Sequence, residues 1–407
     1  MHSEKFIFEN KRGEKLSARL DFPVDRHPQA YALFAHCFTC SKNLHAVRNI
    51  SRALTEQGVA VLRFDFTGLG ESEGDFADTN FSSNVADLIA AADFLGKNFE
   101  APRILIGHSL GGAAVLQAAG DLPACKAVAT IGAPCDPAHV AHLLQDAREE
   151  IEARGEAQIN LAGRIFTVKK QFLDDLKMTV MREKIANLKR ALLIFHSPVD
   201  NTVGIENAQR IYKAALHPKS FVSLDTADHL LTNEADSRYV GEVLAVWSKK
   251  YIDISAGAAK LIVQKEAGTV VVRTGREKYY TAIMANGHPL IADEPEQYGG
   301  KNLGASPYEL LSASLGACTS ITLRMYADRK KWPLESVIVR LKHHKIHADD
   351  CQACESKNRK VDHIERELEL FGPLDDAQKQ RLLEIADKCP VHKTLHSEII
   401  IKTKLRA

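Results

Sequence analysis

Arg103-Ile104-Leu105-Ile106-Gly107-His108-Ser109-Leu110-Gly111-Gly112-Ala113-Ala114-Val115-Leu116 is the stretch that decides the fold of the first part of the chain. Arg103–His108 carries a short apolar run of the kind buried on both faces of a parallel sheet, and an apolar helical pattern follows at 110–120. Between them, the glycines of Gly107-His108-Ser109-Leu110-Gly111 let the chain turn sharply from strand to helix. Such a turn lifts the Ser109 hydroxyl above the sheet and leaves the Leu110 N–H close to it.

The same texture extends outward on both sides. Runs at 31–36, 59–66, 127–133, 191–196 and 220–224 are rich in Val, Ile, Leu and Phe, and helical patterns lie between them at 43–57, 82–98 and 205–215. This alternation predicts an α/β domain with a doubly wound, mostly parallel sheet over residues 1–252. Residues 135–187 break the rhythm with a charged helical segment and then GRIFTVKKQFLDDL, too long for a crossover, so the reading is an inserted lid or cap. Past the helical pattern ending at 251, ISAGAAK is small and flexible and marks a boundary near 252–258. From 258 to 407 the order changes to strands with turns at Ala267-Gly268, Thr274-Gly275 and Asn286-Gly287, a long helix at 307–329, and strands at 337–343 and 362–371. A helix at 375–388 and a final strand at 398–404 complete an α+β domain.

Composition narrows the function classes. The 407 residues are 45% hydrophobic, and 53 Lys and Arg against 52 Asp and Glu leave a net charge of +1. Neither part has the basic excess that a phosphate backbone attracts, which argues against nucleic acid as a partner. No apolar run approaches a membrane span, and the N-terminus is charged where a secretory signal has its apolar stretch. Eight cysteines are far from a disulfide scaffold. The expectation is a soluble cytoplasmic protein.

A hydroxyl becomes a nucleophile only when a base removes its proton, so Ser109 needs a histidine and an orienting acid. Asp200 follows the strand at 191–196 and His229 follows the strand at 220–224, both at carboxyl ends where an open sheet builds its site. His196 is read as packing or capping, and Asp225 and Asp228 as rival acids too close to His229 in sequence. The oxyanion donors are expected at the N–H of Leu110 and in His36-Cys37-Phe38-Thr39, with Phe38 preferred over Cys37. These residues resemble the α/β-hydrolase superfamily, especially its esterases and dienelactone-hydrolase-like members. Asp65-Phe66-Thr67-Gly68-Leu69-Gly70-Glu71-Ser72 resembles that family's D-x-x-G-x-G-x-S turn, which braces the site. The resemblance implies cleavage of a small ester or thioester through an acyl-enzyme, with no cofactor. Cys37, where the family usually has glycine, and Cys40 are read as small packing residues at the pocket rim.

In the second domain, Leu311, Leu315, Cys318 and Thr322 recur at steps of three and four, which puts Cys318 on an inward helix face. Cys389 opens Cys389-Pro390-Val391-His392-Lys393-Thr394-Leu395 just after a helix. Two such thiols suit either inert packing or a peroxide-reducing pair that passes through a sulfenic acid to a disulfide. The Ser306-Pro307-Tyr308-Glu309-Leu310-Leu311…Leu315-Gly316-Ala317-Cys318-Thr319 helix and the Cys389 segment resemble the family of OsmC and the organic hydroperoxide resistance proteins. The resemblance implies Cys318 as peroxidatic thiol, Cys389 as resolving thiol, organic hydroperoxide and a thiol reductant as partners, and an intertwined homodimer. One departure stands out: Tyr308 occupies the position of the family's glutamate, and Glu309 lies one residue on, about 100° around the helix. The supporting arginine is Arg273 or Arg276. The alternative is that only the hydrolase is catalytic and this domain dimerises or binds a ligand. A separate cluster, His343 to Cys354, contains His347, Cys351 and Cys354 as metal candidates, but a single C-x-x-C lacks its partner pair, so the reading assigns no metal.

Overall fold

The computed structural model describes residues 2–37, 40–139, 144, 147–161, 164–252, 268–276, 278–347 and 360–405. Contacts divide the chain into two compact units, Met1–Arg273 with Ala282–Leu290, and Thr274–Thr281 with Ile291–Ala407. The expected linker lies, from residue 253 onward, outside the described residues.

The first unit carries strands β1 (His2–Glu9), β2 (Lys15–Phe22), β3 (Ala30–Ala35), β4 (Val59–Phe64), β5 (Ile104–His108), β6 (Ala127–Ile131), β7 (Glu156–Leu161), β8 (Arg164–Lys169), β9 (Ala191–His196) and β10 (Lys219–Ser223). Eight of them form one sheet in the order β1-β2-β4-β3-β5-β6-β9-β10. From β4 onward the pairing is parallel, whereas β1–β2 and β2–β4 are antiparallel. Helices α1 (His45–Glu56), α2 (Phe81–Asn98), α3 (Leu110–Ala118), α4 (Arg148–Arg154), α5 (Lys170–Met178), α6 (Met181–Ala186), α7 (Glu206–Ala214) and α8 (Glu234–Ser248) complete it. One apolar cluster joins α2 and α3 to one sheet face, and a second joins α1 and α8 to the other. The central strands β3, β4, β5, β6 and β9 are buried at every residue, as their unbroken apolar runs require. The run at 220–224 differs: β10 is the sheet edge, and Phe221 is 44% exposed.

Residues 135–187 correct the expected long charged helix. Of its charged first part, α4 is the one α-helix among the described residues, capped by Gly155; β7 and β8 then form a hairpin, and α5 and α6 follow. Ala157, Ile159, Phe166 and Val168 point inward at alternating positions, a period of two that the surrounding charge obscured. The insertion is anchored by Phe166 against Phe76 at 4.8 Å and by Ser82 N and Oγ donating to Asp175 at 2.8 and 2.6 Å.

Further along the chain, β11 (Val270–Thr274), β12 (Thr281–Ala285) and β13 (His288–Ala292) form a three-stranded sheet, and β14 (Ser336–His347) pairs antiparallel with β15 (Lys360–Phe371). Helices α9 (Pro307–Lys330), α10 (Asp376–Ala386) and α11 (Pro390–Leu395) accompany them. Two expectations need correction. The inward stripe of α9 is Leu315, Thr319, Leu323 and Ala327, with Cys318 half-buried on its flank and Leu311 exposed. Three- and four-residue steps share Leu315, and packing on β14 and α10 chooses between them. Residues 398–405 form no strand, and Ile400 and Ile401 are 76% and 84% exposed. A strand needs a neighbour for its N–H and C=O groups, and the described residues offer this segment none.

Candidate active site

Ser109 sits between β5 and α3 with φ 54° and ψ −125°, a left-handed position for a residue with a side chain. The turn closes because Ser109 N–H donates to Ile131 O at 2.9 Å and Gly112 N–H donates to Ser109 O at 2.8 Å. A Cβ on Gly111 would lie 2.4 Å from Ala35 O, so only glycine lets α3 approach the end of β3 this closely.

His229 Nε2 lies 3.0 Å from Ser109 Oγ, and its Nδ1 lies 2.7 Å from Asp200 Oδ2. The other Asp200 oxygen accepts the N–H groups of Thr202 and Val203 at 2.8 and 2.9 Å. Burial pushes the Asp200 carboxyl up, but the hydrogen bonds from His229, Val203 and Thr202 outweigh it and hold the group below its ordinary value. A charged Asp200 keeps the Nδ1 proton on His229 and leaves Nε2 free to accept from a hydroxyl. Gly132, at φ 53°, lies against this pair, and a Cβ there would stand 3.2 Å from Asp200 Oδ2 and 3.3 Å from His229 Nδ1. Asp225 and Asp228 bond within their own loop, to Ser223 and Thr232. His196 is buried and donates from Nε2 to Val203 O at 2.7 Å, closing the loop that holds Asp200.

Two supporting residues escaped the sequence reading. His108 is buried and donates from Nε2 to the His229 carbonyl at 2.7 Å, which fixes the backbone of the histidine loop. Burial, and then the neighbouring His229, push His108 down to about 3 from its ordinary 6.5. Below pH 6.5 the unfolded chain takes up a proton that the folded chain refuses until about pH 3, so stability falls with pH across that window. Chemical denaturation should therefore show His108 costing about 2 kcal/mol near pH 5 relative to pH 8, a slope that His108→Gln removes.

Lys42 is the second. It is fully buried, its N–H donates to Asp65 Oδ1 at 2.7 Å, and its ammonium pairs with Asp65 and with Glu71 at 2.9 Å. Asp65 also accepts Glu71 N–H at 3.0 Å, and its carbonyl accepts Ser72 Oγ at 2.7 Å, so the 65–72 turn is braced around one buried charge pair. Asp65→Ala leaves that ammonium without its main partner and should cost about 3–5 kcal/mol in urea denaturation.

The Leu110 N–H stands at the first position of α3, directly after Ser109. Phe38, the other expected donor, lies outside the described residues. Cys37 and Cys40 are not separate packing thiols: they form a disulfide across this turn. Their C-x-x-C spacing permits the bond because the turn brings the Cα atoms to 5.3 Å.

The second constellation gathers at α11. Cys318 Sγ accepts the Val391 N–H at 3.5 Å, and Cys389, the N-cap residue, accepts the His392 N–H at 3.3 Å. Both thiols are free, Cys318 half-buried and Cys389 buried. Thr319 Oγ1 lies 3.6 Å from Cys389 Sγ and accepts from Arg366 Nη1 at 3.1 Å. Arg366, which also pairs with Asp387, is thus the arginine at this cluster, and the sequence reading did not name it. Neither Arg273 nor Arg276 pairs with Cys318 or Glu309 among the described residues, and Arg273 Nη1 is buried without a partner. Glu309 serves its own helix instead: Ser306 N–H donates to its carboxylate at 2.7 Å in a capping box, which holds the group below its ordinary value. Tyr308 stacks on His343 with ring centres 4.2 Å apart. The side chain of His347, and Cys351 and Cys354 entirely, lie outside the described residues.

Comparison with known proteins places both parts. Residues 27–154 match the family model of the serine aminopeptidases S33, and residues 299–404 match that of the OsmC-like proteins. The crystal structure of the esterase domain from a Rhodothermus marinus protein is 57% identical with a TM-score of 0.53, covering 62% of this chain and 100% of that one. Mouse mitochondrial palmitoyl-protein thioesterase ABHD10 is 27% identical over 188 residues, 44% of this chain and 62% of the mouse protein. The chain thus spans less than two thirds of that curated relative. Est1E from Butyrivibrio proteoclasticus, at 22% identity and a TM-score of 0.52, shares the fold over 61% of this chain and 99% of its own. Among the described residues no helix is long and apolar enough to cross a membrane. The chain belongs to the α/β-hydrolase family, beside its esterases, and continues into a C-terminal OsmC domain.

Proposed function

We propose that the hydrolase domain cleaves small carboxylic esters or thioesters through an acyl-enzyme on Ser109. The hydrogen-bonded line Ser109–His229–Asp200 carries this reading. His229 Nε2 takes the hydroxyl proton as Ser109 Oγ attacks the acyl carbon, then returns it to the leaving alcohol or thiol. Water repeats the sequence to release the acid and free Ser109. Asp200 orients His229 and stabilises its charged form, while the N–H groups of Leu110 and Phe38 receive the developing oxyanion. The esterase relative supports the ester class, and the thioesterase relative extends it to thioesters. A fluorophosphonate probe should label Ser109 in the intact chain and leave Ser109→Ala unlabelled. An unmodified Ser109 peptide in the mass spectrum would sink the reading.

For the OsmC domain we infer a thiol peroxidase acting as a homodimer. The Cys318 thiolate attacks the O–O bond of an organic hydroperoxide, releasing the alcohol and becoming a sulfenic acid. Cys389 condenses with it, losing water, and an external dithiol reduces the disulfide. The N–H groups of Val391 and His392 meet the two sulfurs at the start of α11, which supports the reading of the thiols as a pair. A second reading, a binding or dimerisation module without redox turnover, draws support from the capping role of Glu309 and the burial of Cys389.

A further inference from the structure

We propose that His344, His363 and Glu365 form a site for one borderline divalent transition-metal ion, Zn²⁺ foremost, on the outward face of the β14–β15 ribbon. His344 and His363 are direct cross-strand partners, and Glu365 lies two residues beyond His363, so all three share one face. One ligand atom from each comes within 4.8 Å of the others. The opposite face is already used: Leu341 and His343 line the hollow beside Tyr308, Glu309 and Ser312, and His343 bonds Asp362 at 2.9 Å. His344 and His363 have no such duty. Their rings stand 4.8 Å apart at 58°, and His363 Nδ1 is buried without a hydrogen-bond partner among the described residues, 4.0 Å from a Glu365 oxygen.

Two imidazole nitrogens and one carboxylate oxygen suit Zn²⁺, with water completing the tetrahedron; Mg²⁺ and Ca²⁺ prefer all-oxygen sets. Glu365 and His344 are exposed, so an ion reaches them from solvent. A bound ion would tie β14 to β15 through side chains as well as through the backbone ladder. Lys342 is the cross-strand partner of Glu365, so its positive charge is expected to oppose a cation bound there.

The test is Zn²⁺ titration by calorimetry of the full-length, metal-free chain carrying Cys351→Ser and Cys354→Ser, so that those two thiols take no part. One equivalent should bind, weakened about tenfold or more by His344→Gln or His363→Gln and unchanged by His343→Gln on the other face. Lys342→Gln should tighten it by about threefold. Co²⁺ substituted in the same chain should give the visible bands of nitrogen and oxygen ligation without a thiolate charge-transfer band. Absence of binding, an equivalent that survives both His344→Gln and His363→Gln, or a thiolate band each overturns the proposal.

Discussion

Ser109→Ala is expected to lower kcat/KM for a p-nitrophenyl ester by about 10⁴–10⁶-fold, because His229 and Asp200 have no task once their proton donor is gone. The protein should stay folded, since the Ser109 contacts that close the turn are made by its backbone. His229→Ala should cost a similar factor, and the double variant little more than either single one, since the three groups act as a unit. Asp200→Asn should cost about 10⁴-fold, because an amide no longer holds the Nδ1 proton on His229. A Ser109→Ala enzyme within tenfold of the parent would show that another nucleophile carries the reaction. Steady-state kinetics on one ester and one thioester measures all four variants and tells the two substrate classes apart.

Cys318→Ser is expected to abolish reduction of an alkyl hydroperoxide by the full chain with a dithiol donor. Cys389→Ser should stop the reaction at the sulfenic acid, visible as one added oxygen on the Cys318 peptide, while the parent forms a Cys318–Cys389 disulfide. Arg366→Lys should slow peroxide consumption by about tenfold, since lysine supplies charge without the fork whose Nη1 reaches Thr319 and Ala386 O while Nη2 holds Asp387. If Cys318 stays unmodified after stoichiometric peroxide, the domain is a binding or dimerisation module. Ester hydrolysis should be unchanged in Cys318→Ser, which separates the failure of one reading from the failure of the other.

Where local pattern and tertiary environment agree, the sequence was readable. The strand-turn-helix around Ser109 needs apolar runs and glycine at fixed places, and those are written in consecutive residues. Chain order put Asp200 and His229 at the ends of successive strands, and a parallel sheet brings such ends together. The β7–β8 hairpin was missed because its alternating Ala157, Ile159, Phe166 and Val168 lie among charges that also fit a helix. The stripe of α9 was misjudged by one position because its partners, β14 and α10, are remote in sequence.

By itself, then, the sequence determined the two fold classes and the strand–turn–helix that presents Ser109, since each follows from residues adjacent in the chain or from strand order; the pairing of Cys318 with Cys389 was legible only through the family resemblance. Only the tertiary structure decided which polar groups meet. Lys42 against Asp65, His108 against the His229 carbonyl, Arg366 beside Thr319 and the His344–His363–Glu365 face are all of that kind. The physical reason is range. Propensity and periodicity act over a few residues, whereas a buried charge or an unpaired nitrogen is settled by whichever partner folding delivers across the core or the neighbouring strand.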